Sequence, residues 1–151
     1  MATQIVPAPV RADHHRPTAP LTPSAATALA NLERAFLPLD LVRAVTRYET
    51  ATARYDELVV RPASSLSPAE FDAVGDAQQA IAKSLEVLAD AGMLHLIEPA
   101  ETATRYRQAS AHCRHFAACA DFDGCLEAQD EMGHCRRQLE QAGRLDLIGG
   151  V

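Results

Sequence analysis

Seven side chains able to ligate a metal or react through a thiol fall within 24 residues: His112, Cys113, His115, Cys119, Cys125, His134 and Cys135. All four cysteines of the 151-residue chain are among them. Read as a helix, His112, His115 and Cys119 are spaced three and four apart and share one face. Imidazole nitrogens and a thiolate suit zinc or copper, and a neighbouring helix would complete the ligand set. No CxxC pair, HExxH step or zinc-finger spacing accompanies them. The chemistry on offer is therefore a zinc or copper site on His112, His115 and Cys119, or thiol redox in the same segment.

Two further patterns bear on catalysis. Glu131-Met-Gly-His134 is the Glu-x-x-His step of ferritin-like di-iron bundles, which need two such steps and two more glutamates. Arg107 and Arg105 precede His112 at separations that resemble the Arg-x(4–6)-His signature of HEPN ribonucleases, an all-helical family. That resemblance would make His112 an RNA-cleaving residue. A net charge of −6 disfavours an RNA-binding surface, and 13 Arg and six His produce such spacings readily. No glycine-rich phosphate loop and no serine nucleophile elbow is present.

Helices must position these residues. Of the 151 residues, 29 are Ala and only 5% are aromatic, a composition that favours helices packed through small side chains over a β-sandwich. Residues 1–22 form a proline-rich leader, expected to be disordered, containing His14-His15 and the PxxP steps Pro17–Pro20 and Pro20–Pro23. Thr22-Pro23 reads as the cap and first turn of a helix reaching about Leu37. After Pro38, with Asp40 as cap, Leu41, Val45, Tyr48, Thr52, Tyr55 and Val59 recur as the seam of a second helix. Ser67-Pro68-Ala69-Glu70 is a capping box opening a third helix, which runs to about Ala91 with Gly92 as its left-handed cap. Pro99 and Glu101 open a fourth helix, to about Ala120, and Asp121 caps a fifth that ends at Gly143.

An internal repeat organises these helices. Residues 71–97 align with 122–148 without a gap, with ten identities in 27 positions where about two are expected by chance. Thr46-Arg47-Tyr48 matches Thr104-Arg105-Tyr106 in the preceding helix of each copy. The expected fold is all-α: a bundle at 23–151 of two tandem repeated αα-hairpins, 39–97 and 98–148, plus an N-terminal helix. The alignment also tests the cysteines. On the seam Cys125, Ala128, Met132, Cys135, Leu139 and Ala142, the first copy has Val74, Ala77, Ile81, Ser84, Leu88 and Ala91. Cys113 aligns with Tyr55, while the histidines align with the solvent-type residues Arg54, Glu57 and Lys83. Three packed thiols and three surface histidines are therefore the main expectation; Cys119 alone lacks a packing role.

The function these features predict is a non-enzymatic interaction module: an adaptor, chaperone-like or assembly subunit presenting helical faces to a protein partner, with homo-oligomerisation open to it. The alternative is a metal- or redox-responsive protein using the second hairpin. The charge predicts no nucleic-acid partner, and no segment approaches the ~18 apolar residues of a membrane span. With no signal-like apolar run, a cytoplasmic protein with reduced thiols is expected.

Overall fold

A computed structural model describes residues 21–149. Most of the expected disordered leader, with His14-His15 and Pro17–Pro20, lies outside the described residues. Five α-helices and no strand occur among the described residues: α1 (Pro23–Ala35), α2 (Leu39–Val59), α3 (Pro68–Asp90), α4 (Glu98–Ala118) and α5 (Phe122–Gln141). The fold is an all-α helical bundle. No helix of the described residues is long and apolar enough to cross a membrane.

The helix starts follow local capping chemistry. Thr22 Oγ1 accepts from the Ala25 amide, and Pro23 occupies the first turn. At α3 the capping box is complete: Ser67 Oγ accepts from the Glu70 amide at 3.3 Å, and Glu70 Oε2 accepts from the Ser67 amide at 2.8 Å. Arg61 adds an ion pair to Glu70. Asp121 caps α5 by accepting from the Gly124 amide at 3.0 Å. The expected cap at α2 is corrected. Pro38 holds the N-cap position, helix begins at Leu39, and Asp40 lies within the first turn. Its carboxylate still faces the positive end of the helix, so the preference for an acid there is met without a capping bond.

Helices α3 and α5 end alike. Gly92 and Gly143 both have φ +68, and in each case the next amide reaches back five residues: Met93 to the Leu88 carbonyl and Arg144 to the Leu139 carbonyl, both at 2.8 Å. That is a Schellman ending. Short 3₁₀ turns follow, Leu94–Ile97 and Leu145–Ile148, at equivalent places in the aligned segments. Helix α4 ends in the same bonding pattern on Ala120, at φ +56, which puts a side chain in a conformation that usually selects glycine.

Helix α2 packs along α3, and α4 along α5; α2 and α4 join the two hairpins. The core gathers Leu41, Ala44, Val45, Tyr48, Leu88, Ile97 and Ala100. Aligned seam positions share burial: Ala77 with Ala128, Ser84 with Cys135, and Leu88 with Leu139. The expected seam needs correcting at its ends. Leu58 is fully buried while Val59, the last residue of α2, is exposed. Ala91 and Ala142 are exposed as helix C-caps rather than seam residues.

Two acids of α2, Asp56 buried and Glu49 largely so, link the hairpins. Asp56, 4% exposed, receives Arg107 of α4 at 2.8 Å, and Arg107 also donates to the Leu147 carbonyl and to Thr104. Two turns earlier on the same face, Glu49 receives Arg144 at 2.7 Å and Arg34 of α1 at 2.8 Å. Burial works against the Arg144 charge, but its bonds to Asp146 and Glu49 outweigh that and raise its pKa. Helix α1 then rests on the end of α5: Ala26 is its one buried residue, and its backbone passes directly over Gly143. Leu29, Leu32 and Phe36 of α1 stay exposed, so this helix leaves its larger apolar side chains outward.

Four outcomes follow. Gly92→Ala should cost about 1 kcal/mol, the conformational penalty alone, because nothing lies within 4 Å of the added carbon. Gly143→Ala has the same φ but would collide with the Ala26 carbonyl and Thr27 nitrogen, so urea denaturation should show a loss at least about 1 kcal/mol larger; equal losses would show that α1 does not seat there. Asp56→Ala should cost about 2 kcal/mol by stranding Arg107, with part recovered in Asp56→Ala/Arg107→Ala. Glu70 is held down to about 2 by the Ser67 amide first, then by the Arg61 and Ser67 side chains. Its folded value lies below the unfolded one near 4.3, so its contribution is full above about pH 5 and lost as pH falls toward 2. Urea midpoints of wild type and Glu70→Gln should therefore converge over that window.

Candidate functional site

Histidine and cysteine side chains from the second hairpin do not gather into one centre. His115 Nε2 stands 4.0 Å from Cys119 Sγ on the exposed last turns of α4. His112 is also exposed, but it lies over the Phe116 ring and lines a groove between α4 and α5. Among the described residues no group of three or more His, Cys, Asp and Glu side chains stands close enough to hold a metal ion. Of the trio His112, His115 and Cys119, the structure brings together only the last two. His134 is exposed, and Glu131 beside it accepts from the Cys135 thiol at 3.4 Å and faces Arg105 at 3.9 Å.

The thiols separate into three kinds. Cys135 is fully buried where Ser84 is fully buried in the first hairpin; burial first, then its bond to Glu131, pushes the thiol pKa up. Cys119 is the exposed C-cap of α4, which accounts for its place outside the seam. Cys113 and Cys125 are half-buried and face each other across the hairpin, sulfur to sulfur at 3.0 Å, with the Gln129 amide 3.9 and 3.7 Å from them. That pairing was not evident from their separation of 12 residues. Arg107, the other residue of the ribonuclease-like spacing, spends its guanidinium on Asp56, Leu147 and Thr104.

More informative is a pair of grooves in equivalent places. One lies between α2 and α3, with a volume of about 630 Å³; the other lies between α4 and α5, at about 380 Å³. Aligned residues line both: Arg47 and Arg105, Ala51 and Ala109, Arg54 and His112, Asp76 and Glu127, Ala77 and Ala128, Ala80 and Glu131. In the second groove Phe116 fills space, and Glu131 and Gln138 engage Arg105. In the first, alanine replaces the carboxylate, and Arg47 forms no ion pair among the described residues; neither does Arg43 one turn earlier. Arg54 pairs with Glu57 at 2.8 Å on an exposed edge.

The α2–α3 groove is thus floored by Ala51, Ala73, Ala77 and Ala80 and rimmed by Arg43, Arg47 and Arg54 against the single acid Asp76. Small floor residues admit close approach of another helix, and the unmatched guanidinium groups can grip carboxylates bidentately. The arginines sit four and seven apart on α2 of an acidic chain. That spacing was readable in advance, but only the packing of α3 shows that it borders a groove. No protein-family model, no curated protein and no solved structure matches the chain.

Proposed function

We propose that the chain is a non-enzymatic helical interaction module that receives an acidic amphipathic helix of a protein partner in the groove between α2 and α3. One observation carries this reading: Arg43 and Arg47 stand without carboxylates on the rim of an alanine-floored groove, in a chain of net charge −6. A helix laid in the groove would set its apolar side against the alanines and its acids against the arginines, the helix-in-groove mode of recognition. The acidic remainder of the surface would repel such a ligand elsewhere, which confines it to this face. The second groove argues for the same role by contrast. There Glu131 faces Arg105 at 3.9 Å and Phe116 lines the space, so the first groove is the more open to an acidic ligand.

A fluorescein-labelled, Leu- and Glu-patterned helical peptide of about 18 residues serves as the probe, read by anisotropy with the full chain. Binding should weaken as salt rises, and Arg43→Glu/Arg47→Glu should lose about tenfold or more in affinity. Ala80→Glu, which installs the carboxylate present in the second groove, should weaken binding in the same direction while leaving the helical circular dichroism unchanged. Equal binding of a Lys-patterned peptide, or unchanged affinity in both variants, would overturn the proposal.

A further inference from the structure

We propose that Cys113 and Cys125 form a reversible disulfide that staples the tip of the α4–α5 hairpin, a thiol switch set by a hydroperoxide and reset by a dithiol. The geometry is that of a cross-helix pair. The two sulfurs lie 3.0 Å apart, each carried by a different helix, and a turn of three residues already holds their backbones close. Few conformational changes separate the thiols from the bonded state. The first hairpin places Tyr55 and Val74 at the aligned positions, so both seam residues of the second are cysteine where either alone would be an inert filler.

The pair also sits where the fold has least to hold it. No residue of α4 beyond Ala109 is buried, nor any residue of α5 before Ala128. Phe122 and Leu126 at this tip are 78% and 60% exposed. A segment with so little apolar burial opens readily, and a covalent tie there changes its opening more than one in the core would. By contrast, the first hairpin buries Asp56 and Leu58 near its corresponding end. Burial of Cys135 and the lack of a facing thiol at Cys119 leave those two outside the switch.

Chemically, the step uses hydrogen peroxide as oxidant. The Cys113 sulfur attacks one peroxide oxygen, an S–O bond forms as the O–O bond breaks, and the departing hydroxide takes up the thiol proton as water. The Cys125 sulfur then attacks that sulfur, the S–S bond forms, the S–O bond breaks, and the second oxygen leaves as water with the Cys125 proton. Two thiols lose two electrons and one peroxide gains them. The hydrogen bond with Cys113, then desolvation, raise the Cys125 pKa, so Cys125 is assigned the later step, in which it attacks through its thiolate fraction. Reduction by a dithiol reverses the bond through a mixed disulfide.

The test uses the full chain, treated with hydrogen peroxide, alkylated under denaturing conditions and digested with trypsin. Cleavage after Arg107, Arg114 and Arg136 puts Cys113 alone on one peptide and Cys119, Cys125 and Cys135 on another. A cross-linked pair of these peptides should appear, with fragmentation placing the bond at Cys125. Dithiothreitol should remove it, Cys113→Ser and Cys125→Ser should each abolish it, and Cys119→Ser should retain it. Hydrogen exchange of amides 110–127 should slow about tenfold or more on oxidation. Four alkylated cysteines after peroxide, a bond from Cys113 to Cys119, or tip exchange unaltered by a formed cross-link would each overturn the proposal.

Discussion

Buried charge is the constraint on which this bundle turns. Glu49 and Asp56 lie seven residues apart on the face of α2 that meets the second hairpin, and each is almost fully enclosed. Taking a carboxylate out of water is expensive unless every lone pair is answered. Here the answers come from Arg107 on α4, from Arg144 after α5 and from Arg34 on α1, each with additional oxygen partners or an adjacent acid. No buried side-chain polar atom among the described residues is left without a hydrogen bond. The arrangement favours one register between the hairpins, since a shift of one turn would part Arg107 from Asp56 and Arg144 from Glu49. Ala44 of α2 and Ala100 of α4, both buried in the shared core, keep side-chain bulk low where the hairpins meet.

Once that register is set, two hairpins of related pattern acquire different surfaces. Ala80 against Glu131 leaves Arg47 without an acid at that position and gives Arg105 one at 3.9 Å. Phe116 occupies the second groove, whereas the first groove keeps a floor of alanine. The difference between the two surfaces thus comes from a handful of side chains on a common frame. The α1 helix adds a separate condition: its backbone crosses Gly143 so closely that no side chain fits between, whereas Gly92 at the equivalent helix end meets nothing.

Much of the frame was legible because its causes are short-ranged. Thr22, the Ser67–Glu70 box and Asp121 cap helices through bonds spanning three residues, and Gly92 and Gly143 end helices through bonds spanning five or fewer. Periodicity located the seams, though it put Val59 inside where Leu58 belongs, since a helix's last turn answers to where the chain must leave. The histidines were expected at the surface, and His112, His115 and His134 lie there. The three-ligand face of His112, His115 and Cys119 was a matter of helical spacing alone, and spacing says nothing of χ angles: His115 stands 4.0 Å from Cys119, while His112 lines the α4–α5 groove.

By itself, then, the sequence determined an all-helical chain, the ends of its helices and the side of each helix that turns inward. These depend on i to i+4 bonding and on the 3.6-residue period, which any window of the chain carries. Tertiary structure alone decided that Asp56 would meet Arg107 across 51 residues and Glu49 meet Arg144 across 95, that Arg43 and Arg47 would border an open groove, and that Cys113 would face Cys125. The reason is physical: each is a contact between elements, and its energy depends on distances and burial that exist only once the hairpins have docked.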